Sequence, residues 1–384
     1  MKHPAKLLLG LLLWTAAAAL GESSQKTASS PGILFYGGSL VERLMEGGDL
    51  EAYLQLAQPK AGLRVRSLAW TGDEIGNRFR PEGYAEHLKT LLAKWPVEIV
   101  VLGFGNNEAF AGEPGVEQFK KDWEIYLREI RRLHPNAKLV LLSPVAVQAS
   151  PGVDLEARNR QIEAYTRVIQ EVAQTHGALF VDLFSATRKA YAQTTEPLTT
   201  YGIHLNEKGA RIAAEVIARR LLGDAAVAAA DPARVREVAK AASRKAGYVA
   251  EVVRPKNGVV YYGGRKRQEE NDAEIPRCHA LIEQAEETVH TLASHPEKKL
   301  SDVPPPSLPP LPEGKSRPDR FSGGILKEPA EQQKDLVVAD GYALNLFASE
   351  AEFPELKNPV QIAFDARGRL WVVTMPSFPH TVPG

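Results

Sequence analysis

Two short runs, "VEIVVLGFG" (97–105) and "KLVLLSPV" (138–145), constrain this chain more than any other feature. Each is an almost unbroken series of Val, Leu and Ile, where a strand with one face in water would alternate apolar with polar side chains. Such runs suit strands covered on both faces, as in a parallel sheet between helices. The strand candidates are Ile33 to Tyr36, Leu63 to Ala69, Val97 to Phe104, Lys138 to Val145 and Ala178 to Phe184. Between and after them come helical patterns at Leu40 to Leu56, Tyr84 to Trp95, Val116 to Leu133, Leu155 to His176 and Asn206 to Leu222. Strand and helix in turn imply right-handed crossovers, hence an α/β class with a five-stranded, mostly parallel sheet in a three-layer sandwich.

The 384 residues leave room for more than this one domain. Lys plus Arg equals Asp plus Glu, 47 of each, so no global charge points to nucleic acid or a polyanionic partner. The basic stretch "RPKNGVVYYGGRKRQ" (254–268) is read as a solvated or packing segment, and no nucleic-acid partner is expected. At the N-terminus, lysines precede an apolar run from Leu7 to Leu20 and a small-residue exit at Gly21. That is the pattern of a signal peptide over 1–21, followed by a spacer over 22–30, in an exported protein, periplasmic or extracellular, with no transmembrane span after cleavage. Cys278 is the single cysteine, so no disulfide forms within the chain. It precedes His279, but no C-x-x-C-H motif is present, and neither cofactor nor metal is expected.

Beyond Leu222 the texture changes. Residues 223–298 read as an alanine-rich helical extension packing on the first domain, and 299–334, with "VPPPSLPPLPEGKSRPDR", as a Pro-rich linker. Residues 335–384 read as short strands with a turn at "DARGRL" between "VQIAF" and "LWVVT", the start of an incomplete all-β tail.

In an open parallel sheet, ligands bind outside the carboxyl ends of the strands. The first strand ends at Gly37, Gly38 and Ser39, the second runs on to Gly72, the third ends in "GFGNNEAF" with Asn107, and His204 precedes the last helix in "TTYGIHLNEKGA". Taken singly these are a turn, a strand end, a helix cap and a loop histidine. Together they suit acyl chemistry. Ser39 at a strand-to-helix turn presents a hydroxyl over a helix N-terminus, and His204 can take its proton. The N–H groups of Ser39 and Gly72 with the Asn107 amide can hold an oxyanion.

These residues resemble the SGNH (GDSL-like) hydrolase family, whose four blocks carry Ser, Gly, Asn and His. "FYGGSL", "LAWTGDE", "GFGNNE" and "YGIHLNEKG" are similar to the four blocks in order, and the likeness runs over about 31–222. It implies a flavodoxin-like three-layer fold and hydrolysis of acyl or acetyl esters, often on carbohydrates or lipids. Two positions depart from the pattern. Gly38 stands where the family has Asp before the serine, and Tyr201 where it has Asp three residues before the histidine. In a serine protease triad, replacing the orienting Asp costs about 10⁴-fold in kcat. Asp73, Glu74, Glu108 and Asp182 are the other carboxylates near in sequence; none has the spacing of the missing residue, and Asp182 and Glu108 are the supporting candidates.

The tail, "GYALNLFASEAEFPELKNPVQIAFDARGRLWVVT", resembles the first blade of the β-propeller of membrane-bound-dehydrogenase (PVC-type haem-binding) proteins. That resemblance implies downstream propeller and cytochrome c domains not present in this chain. Two functions follow as expectations. One is a secreted ester hydrolase acting on a small-molecule or glycan ester. The other is a catalytically weakened glycan-binding module of a larger oxidoreductase, which exposed aromatics such as Trp70 or Phe110 lining the crevice would favour.

Overall fold

The computed structural model describes residues 31–81, 83–95, 97–150, 154–254, 269–309, 327–356 and 358–375. The expected signal peptide and spacer, residues 255–268 and residues 310–326 of the Pro-rich stretch fall outside them. The chain divides into two compact units, Met1–Glu313 and Gly314–Gly384.

The first unit is built on five parallel strands: β1 (Gly32–Gly37), β2 (Arg64–Ser67), β3 (Ile99–Gly103), β4 (Lys138–Leu142) and β5 (Leu179–Val181). Their spatial order is β2-β1-β3-β4-β5, the flavodoxin-like doubly wound order. The unbroken apolar runs are explained by the two cores. Leu34, Val100, Leu102, Leu139 and Leu141 face one helical layer, which includes α4 (Val116–Leu133) and α5 (Leu155–Thr175). Ile33, Phe35, Val101, Val140 and Leu142 face the other, which includes α1 (Ser39–Gly47), α2 (Asp49–Ala57) and α7 (Glu207–Leu222). Between them in sequence come α3 (Tyr84–Leu92) and α6 (Leu183–Ala192).

The single helix expected over Leu40 to Leu56 is two. Gly48 separates α1 from α2 at φ 75°, and a Cβ there would sit 2.2 Å from the Ala239 carbonyl oxygen. The break exists because a later helix crosses here, backbone against backbone, and only glycine leaves room.

That helix is α9 (Pro232–Val253), which follows the short α8 (Asp224–Ala228) and precedes α10 (Glu269–Ser294). Asp231 caps α9 by accepting from Ala233 N–H, with Pro232 in its first turn. Val235, Val238, Ala239 and Ala242 of α9 pack with Val289 and Leu292 of α10 and with Ala52 of α2. The start of the expected linker is also attached. Leu300 N–H donates to Glu237, Ser307 N–H to the Gln284 side chain, and Arg277 Nε to the Pro309 carbonyl. Prolines there lack donors, but the neighbouring backbone still pairs with helix side chains.

In the second unit, β8 (Pro359–Phe364) and β9 (Leu370–Thr374) form an antiparallel hairpin at the expected turn. The Asp365 carboxylate accepts from the N–H groups of Arg367 and Arg369, from Arg369 Nε and from Trp371 Nε1. These donors, led by Arg369 N–H, hold its carboxyl down at about 2. None of the described helices is long and apolar enough to cross a membrane.

Candidate active site

The order of the strands reverses between β1 and β3, and that switch point is where the chemistry-bearing segments meet. β1 runs straight into α1. Gly38 is the N-cap residue with no side-chain cap, and Ser39 is the first residue of the helix. The first-turn N–H groups of a helix have no partners within it, so the hydroxyl of Ser39 sits beside donors that favour negative charge.

The loop after β3 is held from several sides. The Asn106 amide accepts from Val145 N–H and donates to the Val145 carbonyl. Arg158 of α5 donates to the carbonyls of Asn106 and Ala109, with its guanidinium 3.6 Å from the centre of the Phe110 ring. The Glu108 carboxylate accepts from Gly105 N–H and Ile75 N–H, both at 2.8 Å, joining this loop to the one after β2. Burial nevertheless raises its carboxyl above the usual range. Asn107 lies inside this clamp, and its side-chain amide has no hydrogen-bond partner among the described residues.

His204 stands in a short hairpin of β6 (Thr199–Thr200) and β7 (His204–Leu205). Ile203 N–H donates to the Thr200 carbonyl, with Tyr201 at φ 55° and Gly202 at φ 77° between them. Positive φ at both central positions is the type I′ geometry that suits a two-stranded ribbon. Gln148 fixes the hairpin. Its side chain accepts from Leu198 N–H and the Thr199 hydroxyl, and its N–H donates to the Gly202 carbonyl. Asn206 caps α7 by accepting from Gly209 N–H. Burial first, and the charge of Arg43 second, lower the His204 imidazole below its ordinary value.

One crevice, about 440 Å³ counted to its open mouth, is lined by Ser39, Asn107, Glu108 and His204, together with Gly38, Arg43, Asp73 and others. A half-buried serine, a histidine whose charged form is disfavoured and an uncommitted amide at one opening form the inventory of an acyl-transfer site. Residues 35–212 match the GDSL-like Lipase/Acylhydrolase family. This segment is a GDSL-like lipase/acylhydrolase domain.

The solved structures similar to the chain include one from Parabacteroides merdae ATCC 43184, whose assignment as a GDSL-like lipase is provisional. It is 14% identical with a TM-score of 0.42, over 50% of this chain and 96% of that one. LAE5, an alpha/beta hydrolase from the metagenome of Lake Arreo, Spain, is 20% identical with a TM-score of 0.40, over 51% and 98%. A catalytic mutant of an acetylxylan esterase from Geobacillus stearothermophilus is 20% identical with a TM-score of 0.38, over 51% and 96%. No curated protein matches. Residues 328–384 match a domain of unknown function, which is coarser than the propeller blade read from the sequence.

Within the GDSL-like domain, two of the expected site residues are absent from the crevice lining. Gly72 is exposed in a turn closed by Asp73 N–H on the Trp70 carbonyl, and that turn presents Asp73 to the crevice instead. Asp182 accepts from Ser185 N–H as the N-cap of α6, a structural duty at the end of β5. The aromatics also sit elsewhere. Trp70 lies under Arg80, 4.4 Å from the guanidinium, and Phe110 under Arg158.

Both departures from the family pattern have a physical setting. A Cβ on Gly38 would come within 2.7 Å of the Asp73 carbonyl oxygen, so the turn after β2 occupies the place an Asp side chain would need. Tyr201 is 82% exposed at the hairpin tip, and His204 has no carboxylate partner among the described residues. The sequence reading did not single out Arg43, and it named Asp73 only as a nearby carboxylate without the right spacing, yet both line the crevice. Arg43 had a signal, since a residue four after a helix-opening serine returns to the same face. Asp73 had none, because which side chain of a turn points inward depends on how the turn packs.

Proposed function

We propose that the GDSL-like domain is an ester hydrolase with Ser39 as nucleophile and His204 as general base. The observation that carries this reading is the shared crevice of Ser39, Asn107 and His204 at the sheet's switch point. The Ser39 hydroxyl oxygen bonds to the ester carbonyl carbon while His204 takes its proton. The oxyanion is held by Ser39 N–H and the Asn107 amide. Breaking the carbon–oxygen bond releases the alcohol with the proton from His204. Water then adds to the acyl carbon, losing a proton to His204; the bond from that carbon to Ser39 Oγ breaks, Oγ takes the proton from His204, and the carboxylic acid leaves with the hydroxyl restored.

The substrate is an acyl or acetyl ester of a carbohydrate, and the protein works outside the cytoplasm, as the N-terminal sequence pattern suggests. The tail belongs to a further β domain of propeller type in this reading. The lack of a carboxylate on His204 favours the second reading, a glycan-binding module with weakened catalysis.

Hydrolysis of a short-chain chromogenic ester by the full chain separates the two. Ser39→Ala and His204→Ala are each expected to lower kcat/KM by roughly 10³-fold or more. Equal rates in all three folded proteins would discard the hydrolase and leave the binding module.

A further inference from the structure

The charges at the crevice are not balanced in use. Asp73 is buried and gives both carboxylate oxygens to Arg80, at 2.7 and 2.5 Å. Glu108 gives both of its oxygens to backbone N–H groups. Arg43 is the exception. It lies one helical turn beyond Ser39 on α1, lines the crevice and is exposed. No carboxylate forms an ion pair with it among the described residues. Glu46, three residues further on, is pushed up by burial and by Glu42, while Arg254 and Arg43 oppose that rise without an ion pair to Arg43. Glu42 is engaged with Arg254 and Thr71. The uncapped N-terminus of α1 adds positive potential at Ser39.

The free charge at the crevice is therefore a guanidinium on the same helix face as the nucleophile. A guanidinium presents a planar fork that matches a carboxylate. We propose that Arg43 forms an anion subsite and that the preferred substrate is an ester carrying a carboxylate, on either its acyl or its alcohol side. This deepens the ester-hydrolase reading and rests on it.

Three phenyl-type esters test it with the full chain and with Arg43→Gln. Phenyl acetate is neutral, 4-acetoxybenzoate carries the carboxylate on the alcohol side, and monophenyl glutarate carries it on the acyl side. Arg43→Gln is expected to lower kcat/KM for one of the acidic esters roughly tenfold more than for phenyl acetate, with partial rescue in Arg43→Lys. Which acidic ester responds identifies the side. Equal changes for all three esters would overturn the subsite.

Binding of the matching amides, 4-acetamidobenzoate and glutaranilate against neutral acetanilide, is measured in parallel by calorimetry. Preferential binding of an acid that Arg43→Gln abolishes supports the subsite even if no ester is cleaved, an outcome that would overturn the hydrolase alone. Hydrolysis of all three esters with no preference for either acid, in rate or binding, overturns the subsite and leaves the hydrolase standing.

Discussion

The missing aspartate changes how His204 titrates. An imidazole paired with a carboxylate is stabilised in its charged form and titrates higher, whereas burial and a nearby cation push it lower. His204 has the second environment, with burial the larger cause and Arg43 the smaller. Its folded value lies below the ordinary 6.5, so at any given pH more of it is neutral and able to accept a proton than of a free imidazole. The acid limb of kcat/KM for ester hydrolysis is therefore expected below pH 6.5, and Arg43→Gln moves it upward without bringing it back to the ordinary value. A limb above pH 6.5 in the unmodified protein would mean that a carboxylate does reach the imidazole. The residues Ser39, Asn107 and His204 were legible in the sequence because each follows an apolar run or precedes a capped helix. Gly72 is exposed and outside the crevice lining while its turn brings Asp73 to it, a rotation the letters "TGDE" do not encode.

At the scale of elements, the least expected feature is the edge strand β2. Arg64 and Arg66 alternate with apolar neighbours, so both lie on one face, and that face meets Glu283 and Glu286 on α10. A period of two on the strand matches a spacing of three on the helix, giving two bidentate pairs. Arg66 and Glu286 are 2% and 3% exposed, and Lys245 of α9 joins them, contacting Glu286 at 3.1 Å and also Glu51. Burial would raise the Glu286 carboxyl, yet Lys245 and Arg66 overcome it and hold it at about 2. Two cations and two carboxylates thus neutralise one another in the interior, and the pairing covers a sheet edge that would otherwise recruit other strands. Removing one member leaves a carboxylate buried without its partner. Lys245→Met is expected to destabilise the unit by about 3–5 kcal/mol in urea unfolding, whereas Lys245→Met with Glu51→Leu costs much less. If the single and double variants lose the same amount, Glu51 and Lys245 are not coupled. The alternation "RVRS" was visible in the sequence, but its partner lies 220 residues further on, beyond the range of any local pattern.

For the molecule as a whole, the stretch that matches the family and the stretch that can fold are different lengths. The family match ends at residue 212 and the last helix of the α/β sandwich at Leu222, which invites truncation there. The structure argues against it. Without α9 and α10, the edge of β2 has no cover, Arg66 and Glu51 lose their buried partners, and Ala52 and Gly48 of the α1–α2 corner face solvent. Val249, Val252 and Val253 would also be withdrawn from the core on the opposite sheet face. The sequence shows a change of texture at residue 223 but not that alanine-rich helices beyond it press backbone to backbone on the first domain. A chain ending after Leu222 is expected to be insoluble or to melt without a cooperative transition. One ending after Pro309, which retains the carbonyl that Arg277 binds, is expected to unfold cooperatively. Calorimetry on both decides the matter. A cooperative transition in the shorter chain would mean that the sandwich carries its own stability and that the buried ion network only fastens a separable extension. Its absence there, with cooperativity in the longer chain, would make the extension part of the hydrolase fold and would explain why the edge strand can carry two arginines.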